Sequence, residues 1–283
     1  MSTKVALTVA GSDPSGGAGI QADLKTFAAF RVYGAAVLTC VTAQNTLGVR
    51  ATGELPADLV AAQLDAVLED LDVGAVKTGM LGRAEIVEVV AERLARLRAP
   101  LVVDPVMVAT SGDALLDAAG ATALRERLLP LARLVTPNLD EAAALVGRPV
   151  HDVAAMRDAA RAIQALGPRA VLVKGGHLTD VACDVLLDGD ALHELTAPRV
   201  DVPRLHGTGC TLSAAIAALL ARGASLLDAV RTAKAWLHEA IARAPAVGHG
   251  ARPVDHTVRP PLPDDEERAT VAPPPDRGYG RRS

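Results

Sequence analysis

The stretch His206-Gly-Thr-Gly-Cys-Thr-Leu-Ser213 sets a glycine-rich turn directly before the apolar run Ala214–Leu220. A turn that opens a helix leaves backbone N–H groups without partners and adds the positive end of the helix dipole, which together make an anion site. Gly207, Thr208, Gly209 and Cys210 could there stabilise the charge that develops when a phosphoryl group migrates. Cys210 falls in the first turn, where the same field is expected to lower a thiol's pKa and favour thiolate. The plainer alternative for an isolated cysteine beside an apolar helix is a small core residue.

Other polar residues fall at the ends of apolar runs. Asp104 closes Leu101-Val-Val103, Asn138 and Glu141 follow Leu134-Val-Thr-Pro137, and Lys174 closes Val171-Leu-Val173. Asp and Glu suit a hydrated Mg²⁺, while Asn and Lys suit phosphate oxygens. Polar residues also end strands as caps and turn formers, so none of these decides alone. Four on one sheet edge point to phosphate handling. The loop Gly11-Ser-Asp-Pro-Ser-Gly-Gly-Ala-Gly19 lets backbone N–H groups approach a ligand closely, although an ordinary surface loop has the same composition. Its Gly17-Ala-Gly-Ile-Gln-Ala22 also matches a dinucleotide fingerprint. That reading fails, because no acidic residue occurs between Asp23 and Glu54 to hold a ribose. No P-loop pattern is present, so any ATP would need another phosphate cradle.

These residues need a scaffold that brings strand ends together. Candidate strands are Val5–Ala10, Ala35–Val41, Ala75–Lys77, Leu101–Asp104, Leu134–Thr136 and Ala170–Lys174, mostly apolar on both faces as parallel strands covered by helices are. Between them, Val60, Leu64, Val67 and Leu71 share one helical face, as do Ile86, Val90, Leu94 and Leu97. The alternation predicts a doubly wound α/β sheet, with ligands outside the carboxyl ends of its strands. Val181–Leu187 and Leu192–Leu195, joined through Asp188-Gly-Asp190, predict an antiparallel hairpin at one edge. Two Ala-rich helices follow, over about Gly209–Arg222 and Leu226–Arg243. The Pro-rich, charged tail from about residue 261 is expected to be disordered.

Composition narrows the function classes. Half of the 283 residues are hydrophobic but only 2% aromatic, so Ala, Val and Leu must fill the core. With a net charge of −4 and no basic stripe, neither nucleic acid nor an anionic membrane is an expected partner. Cys40, Cys183 and Cys210 form no CxxC pair, which disfavours a zinc site or disulfide framework. The apolar run near the N-terminus is too short for a signal peptide, and no segment is long and apolar enough to span a bilayer. A cytoplasmic protein is expected.

The segment Ala10–Phe27 resembles the opening of hydroxymethylpyrimidine/phosphomethylpyrimidine kinases of the ribokinase superfamily. Val41–Thr46, Ala75–Leu81, Asp104–Val108, Ser111–Asp113, Thr136–Glu141, Val171–His177 and His206–Cys210 continue the resemblance in the family's order, over about residues 5 to 256. It implies a three-layer α/β/α domain over about residues 1–260, a homodimer, and ATP with Mg²⁺. It also implies two successive phosphorylations serving thiamine biosynthesis, of 4-amino-5-hydroxymethyl-2-methylpyrimidine and then of its monophosphate. By the same resemblance, Gln44 would hydrogen-bond the aminopyrimidine, in a pocket lined by Gly11, Ala18, Met80 and Met107. Asp104 and Glu141 would serve the metal, while Asn138, Lys174, His206 and Lys234 would lie on the nucleotide side. For Lys234 an exposed helical lysine is the alternative. Cys210 would take the substrate's proton, in a position where most of the superfamily carries Asp. Val202-Pro-Arg-Leu205 departs from the polar residues expected before His206. The nearest rival is a pyridoxal kinase of the same cysteine-bearing branch, in which an apolar residue is expected at position 44. A non-catalytic pyrimidine-binding protein would need none of Cys210, Glu141 and Lys174.

Overall fold

The computed structural model describes residues 3–107, 115–176 and 182–262. Ser111–Asp113, His177 and all but the first two residues of the expected tail lie outside the described residues. Nine strands form one sheet in the order β3-β2-β1-β4-β5-β6-β7-β8-β9. They are β1 (Val5–Ser12), β2 (Tyr33–Asn45), β3 (Gly48–Glu54), β4 (Val73–Thr78), β5 (Leu101–Val103), β6 (Leu134–Val135), β7 (Ala170–Val173), β8 (Ala182–Asp188) and β9 (Ala191–Ala197). The six strands β2-β1-β4-β5-β6-β7 are parallel, whereas β3, β8 and β9 pair antiparallel.

The predicted hairpin is present as β8–β9, its turn made by Gly189 at φ 58. The second antiparallel edge, β3, was not anticipated. Gly48-Val-Arg-Ala-Thr-Gly-Glu54 is almost wholly exposed, so it lacks the apolar alternation that reveals a strand and is held by its ladder with β2. The predicted strand ends also shift slightly. Asp104 and Lys174 lie just past β5 and β7, in the loops where a ligand would sit.

The period of two sorts β1 between two cores. Val5, Leu7 and Val9 join the core covered by α2 (Ala57–Asp70), α3 (Ala84–Leu94), α5 (Leu139–Val146) and α6 (Val153–Gln164), with the short α4 (Ala118–Ala123) beside them. Ala6 faces the other core, built from α1 (Gly19–Ala29), α7 (Thr208–Ala221) and α8 (Leu226–Ala242). Apart from its first turn α7 is apolar almost all round, and Thr211–Leu219 are all buried, as expected of a helix enclosed on every side. With so few aromatics, Phe30 and Trp236 carry much of the packing here. Their rings meet edge to face at 4.9 Å, and Trp236 Nε1 donates to Val258 O at 2.9 Å.

Going from β1 to β2 the chain moves to one side, and it then crosses back to place β4 on the other. The order therefore reverses at β1, and the crevice beyond the carboxyl ends of β1 and β4 is where such a sheet binds ligands. A last short pair, β10 (Leu205–His206) with β11 (Arg252–Pro253), lays the start of the α7 turn beside this crevice.

Candidate active site

Gly207 precedes α7 with a left-handed φ of 77, and no side chain caps the helix. The N–H groups of its first turn are thus left facing the crevice. A Cβ on Gly207 would run into the Gly17 carbonyl, and one on Gly209 would come within 3.1 Å of Lys174 Nζ. The glycines let this turn lie against both the first loop and the charged cluster.

That cluster joins residues from three strand ends. Lys174 Nζ donates to Asp104 Oδ1 at 2.8 Å and lies 4.0 Å from Glu141 Oε2. Thr136 Oγ1 and Ser213 Oγ also donate to Asp104, at 3.1 and 3.4 Å. Burial pushes the Asp104 carboxyl up, but Lys174 and Lys77 outweigh it and hold the group below its ordinary range. Burial takes Glu141 up to about 7, with the Asp104 charge adding to the effect and Lys174 opposing it. Asn138 and Glu141 form a reciprocal capping box. Asn138 Oδ1 accepts from Glu141 N and Glu141 Oε2 accepts from Asn138 N, both at 2.8 Å. The N-x-x-E spacing therefore has a structural role of its own at the start of α5, visible in the sequence as Asn138 three residues before Glu141.

Cys210 corrects the expectation of a thiolate. Burial pushes the thiol up to about 11, against the pull of the Lys77 charge and of a hydrogen bond from Gly19 N–H. Desolvation here outweighs the helix field.

The sequence presents Lys77 only as the end of a candidate strand and as part of a matching segment. It projects from β4 under α1 and α7, and its Nζ donates to Asp23 Oδ2 at 2.8 Å with neither side chain exposed at all. Thr8 Oγ1 donates to the same oxygen at 2.6 Å, and Asp23 Oδ1 has no hydrogen-bond partner among the described residues. Burial alone would depress the Lys77 ammonium, yet the Asp23 charge carries it above its ordinary range. A lysine inside a strand apolar on both faces was the available signal, since a buried charge requires a partner.

On the β1–β2 side, a Cβ on Gly11 would lie 2.5 Å from Cys40 Sγ and 3.5 Å from Met80 Sδ, so Gly11 and Met80 share one wall. Ala18 N donates to Asp13 Oδ2. Met107 is half-buried and packs on the first core. Gln44 Nε2 lies 3.0 Å from His206 Nε2, and that same imidazole nitrogen lies 3.0 Å from Asp13 Oδ2. His206, expected on the nucleotide side, instead stands beside Gln44. Lys234 is neither exposed nor within the Lys174 cluster. Its Nζ donates to Asp184 Oδ2 at 2.6 Å, and Asp184 Oδ1 accepts from Gly175 N, so it braces the residue that follows Lys174.

Residues 13–255 match the family model for phosphomethylpyrimidine kinase. A Rhizobium meliloti hydroxymethylpyrimidine/phosphomethylpyrimidine kinase is 56% identical over 261 residues, which is 91% of this chain and 98% of that protein. Among solved structures, the ADP complex of Bacillus subtilis pyridoxal kinase superposes with a TM-score of 0.85 at 40% identity, covering 91% of this chain and 98% of the other. Clostridium difficile phosphomethylpyrimidine kinase gives 0.75 at 43% identity, covering 84% and 99%. With this agreement of sequence and fold, the chain belongs to the phosphomethylpyrimidine kinase family.

Proposed function

We propose that this protein transfers the terminal phosphoryl group of ATP to the hydroxymethyl group of 4-amino-5-hydroxymethyl-2-methylpyrimidine, and then phosphorylates the monophosphate to the diphosphate used in thiamine biosynthesis. One observation carries the reading over its rival. Identity to the Rhizobium pyrimidine kinase is 56%, against 40% to the Bacillus pyridoxal kinase that shares the fold. Gln44 supports it, because a side-chain amide offers both the donor and the acceptor that an aminopyrimidine edge needs. The high TM-score with pyridoxal kinase favours pyridoxal as the second substrate to test.

In this reading the ring lies against Gly11, Ala18, Met80 and Met107 with Gln44 at its edge. Gly207–Cys210 receive the migrating phosphoryl group on their N–H groups, and Lys174 contacts the nucleotide's phosphates. Asp104 and Glu141 would hold Mg²⁺. Their buried oxygens are the hard donors this ion takes, and two carboxylates suit an ion that keeps water and phosphate oxygens as its other ligands. Mg²⁺ would supply charge neutralisation on the phosphates. Cys210 is the group placed to take the hydroxyl proton, which leaves late as the new P–O bond forms. For this the thiol must give up its own proton as the site fills, a loss that the Lys77 charge favours and the Asp23 and Asp104 charges oppose. The expected homodimer would close on the β2–β3 edge, where Val41 and Leu47 are exposed.

The test is an ATP- and Mg²⁺-dependent assay of the purified chain, reading product mass with the hydroxymethylpyrimidine and with pyridoxal. Mono- then diphosphorylated pyrimidine is expected. Phosphorylated pyridoxal without a pyrimidine product would reassign the substrate. Cys210→Ala with near-parental turnover would remove Cys210 as the base.

A further inference from the structure

The hydrogen bonds around His206 can be satisfied together in only one way. Asp13 is fixed as an acceptor. Its Oδ1 takes Ser15 N at 2.9 Å and its Oδ2 takes Ala18 N at 2.8 Å, and its carboxyl is held at about 2, the bonds from His206 and the loop outweighing burial. With Asp13 Oδ2 at 3.0 Å, His206 Nε2 must carry a proton and donate it. An N–H cannot also accept, so the end of the Gln44 amide lying 3.0 Å away must be its carbonyl oxygen, which shares the one Nε2 hydrogen with Asp13 in a three-centre bond. The drawn nitrogen and oxygen exchange by a half-turn of the amide. After that exchange the NH₂ group faces Thr42 Oγ1 at 3.2 Å. Thr42 can accept there, because its own hydrogen goes to Ser12 O at 2.8 Å.

We propose that His206, held by Asp13, is a positioning residue that locks the Gln44 amide in one orientation and thereby sets selectivity for a ring with an amine beside a ring nitrogen. With the amide locked, its carbonyl can accept from the amine and its N–H can donate to the ring nitrogen. A reversed amide would set donor against donor and acceptor against acceptor, and each mismatch would leave buried polar groups unpaired. The surroundings hold the imidazole in place. Its side chain is 13% exposed, and a Cβ on Gly17 would come within 2.7 Å of His206 Cδ2. Because Gly207 follows directly, recognition of the ring is tied mechanically to the turn that receives the phosphoryl group. The inference rests on the reading of Gln44 as the group that meets the substrate ring.

A double-mutant cycle on the full chain tests it, with His206→Leu and Gln44→Ala alone and combined. The substrates are the aminopyrimidine and an analogue lacking the amine. Alone, His206→Leu should raise KM for the aminopyrimidine about tenfold, the size of one lost hydrogen bond at about 1.4 kcal/mol per tenfold, and narrow the preference over the analogue. In the Gln44→Ala background it should add nothing. Equal losses in both backgrounds would overturn the proposal, since a merely structural role would not depend on Gln44. Should Gln44→Ala alone keep the parental KM and preference, the reading of Gln44 itself falls, and the inference with it. Nitrogen–proton correlation spectra of the unsubstituted protein supply a second measurement independent of any variant's folding. A proton on Nε2 of His206 is expected, and a lone-pair shift at Nε2 would overturn the assignment.

Discussion

Lys77→Met should be among the most destabilising substitutions in this chain. It removes the ammonium from a contact in which both side chains have zero exposure. Asp23 is then left with Thr8 as its remaining donor among the described residues, where its other carboxylate oxygen already lacks a partner. Breaking a buried ion pair from one side costs about 3–5 kcal/mol, a large share of the ~5–15 kcal/mol that holds a domain together. Urea unfolding followed by circular dichroism would read it as a lower midpoint at unchanged slope. The double variant Lys77→Met/Asp23→Leu removes both charges and should recover much of the loss, since replacing a whole buried pair by apolar groups is often close to neutral. A single-variant loss under about 1 kcal/mol would refute the reasoning, because a loss that small belongs to a hydrated pair. A double variant no better than Lys77→Met would refute it as well.

Glu141→Gln should abolish activity while stabilising the ligand-free fold. Gln keeps the capping box, and the parental carboxyl, raised to about 7, disfavours the folded state once ionised. The variant's advantage should therefore grow as pH rises from 4.5 through 7, to at most about 3 kcal/mol, and an advantage that shrank over that range in thermal melts would contradict it. Asp13→Asn acts with the opposite sign. A carboxyl depressed to about 2 contributes stability above the unfolded value of 3.8 that disappears as pH falls through about 2. The variant should be about 2 kcal/mol weaker near pH 7 and equal to the parent at the acid end, as paired urea titrations would show.

The scaffold was legible because its signals are local. Doubly apolar strands such as Ala170–Val173 and the Ala-rich α7 announce burial on every side. The exposed β3 carries no such signal and exists through its ladder with β2. At the site, the Gly-Thr-Gly-Cys turn and the strand-end residues Asp104, Glu141 and Lys174 could be found by type and place. Their partners could not. That His206 stands with Gln44, 162 residues away, and Lys77 with Asp23 follows from how the β10–β11 pair and α1 pack against the sheet, and a single sequence does not state that packing.

The thiol of Cys210 shows how far such local reasoning reaches. The turn does place it at a helix N-terminus, but that field amounts to only about half a unit charge. The neighbouring full charges cancel in pairs, Lys77 with Asp23 and Lys174 with Asp104, and leave no surplus cation to hold a thiolate in a buried site. At about 11 the ligand-free thiol should alkylate with iodoacetamide much more slowly near pH 8 than a free cysteine, whose pKa is ~8.5, as peptide mass spectrometry would record. Asp104→Asn should reverse this in part. It removes a negative charge that raises the thiol and releases Lys174 from its ion pair, so alkylation of Cys210 should accelerate about tenfold for each unit the pKa falls. Unchanged labelling in Asp104→Asn would mean that desolvation alone sets the thiol, and the account by paired charges would be wrong.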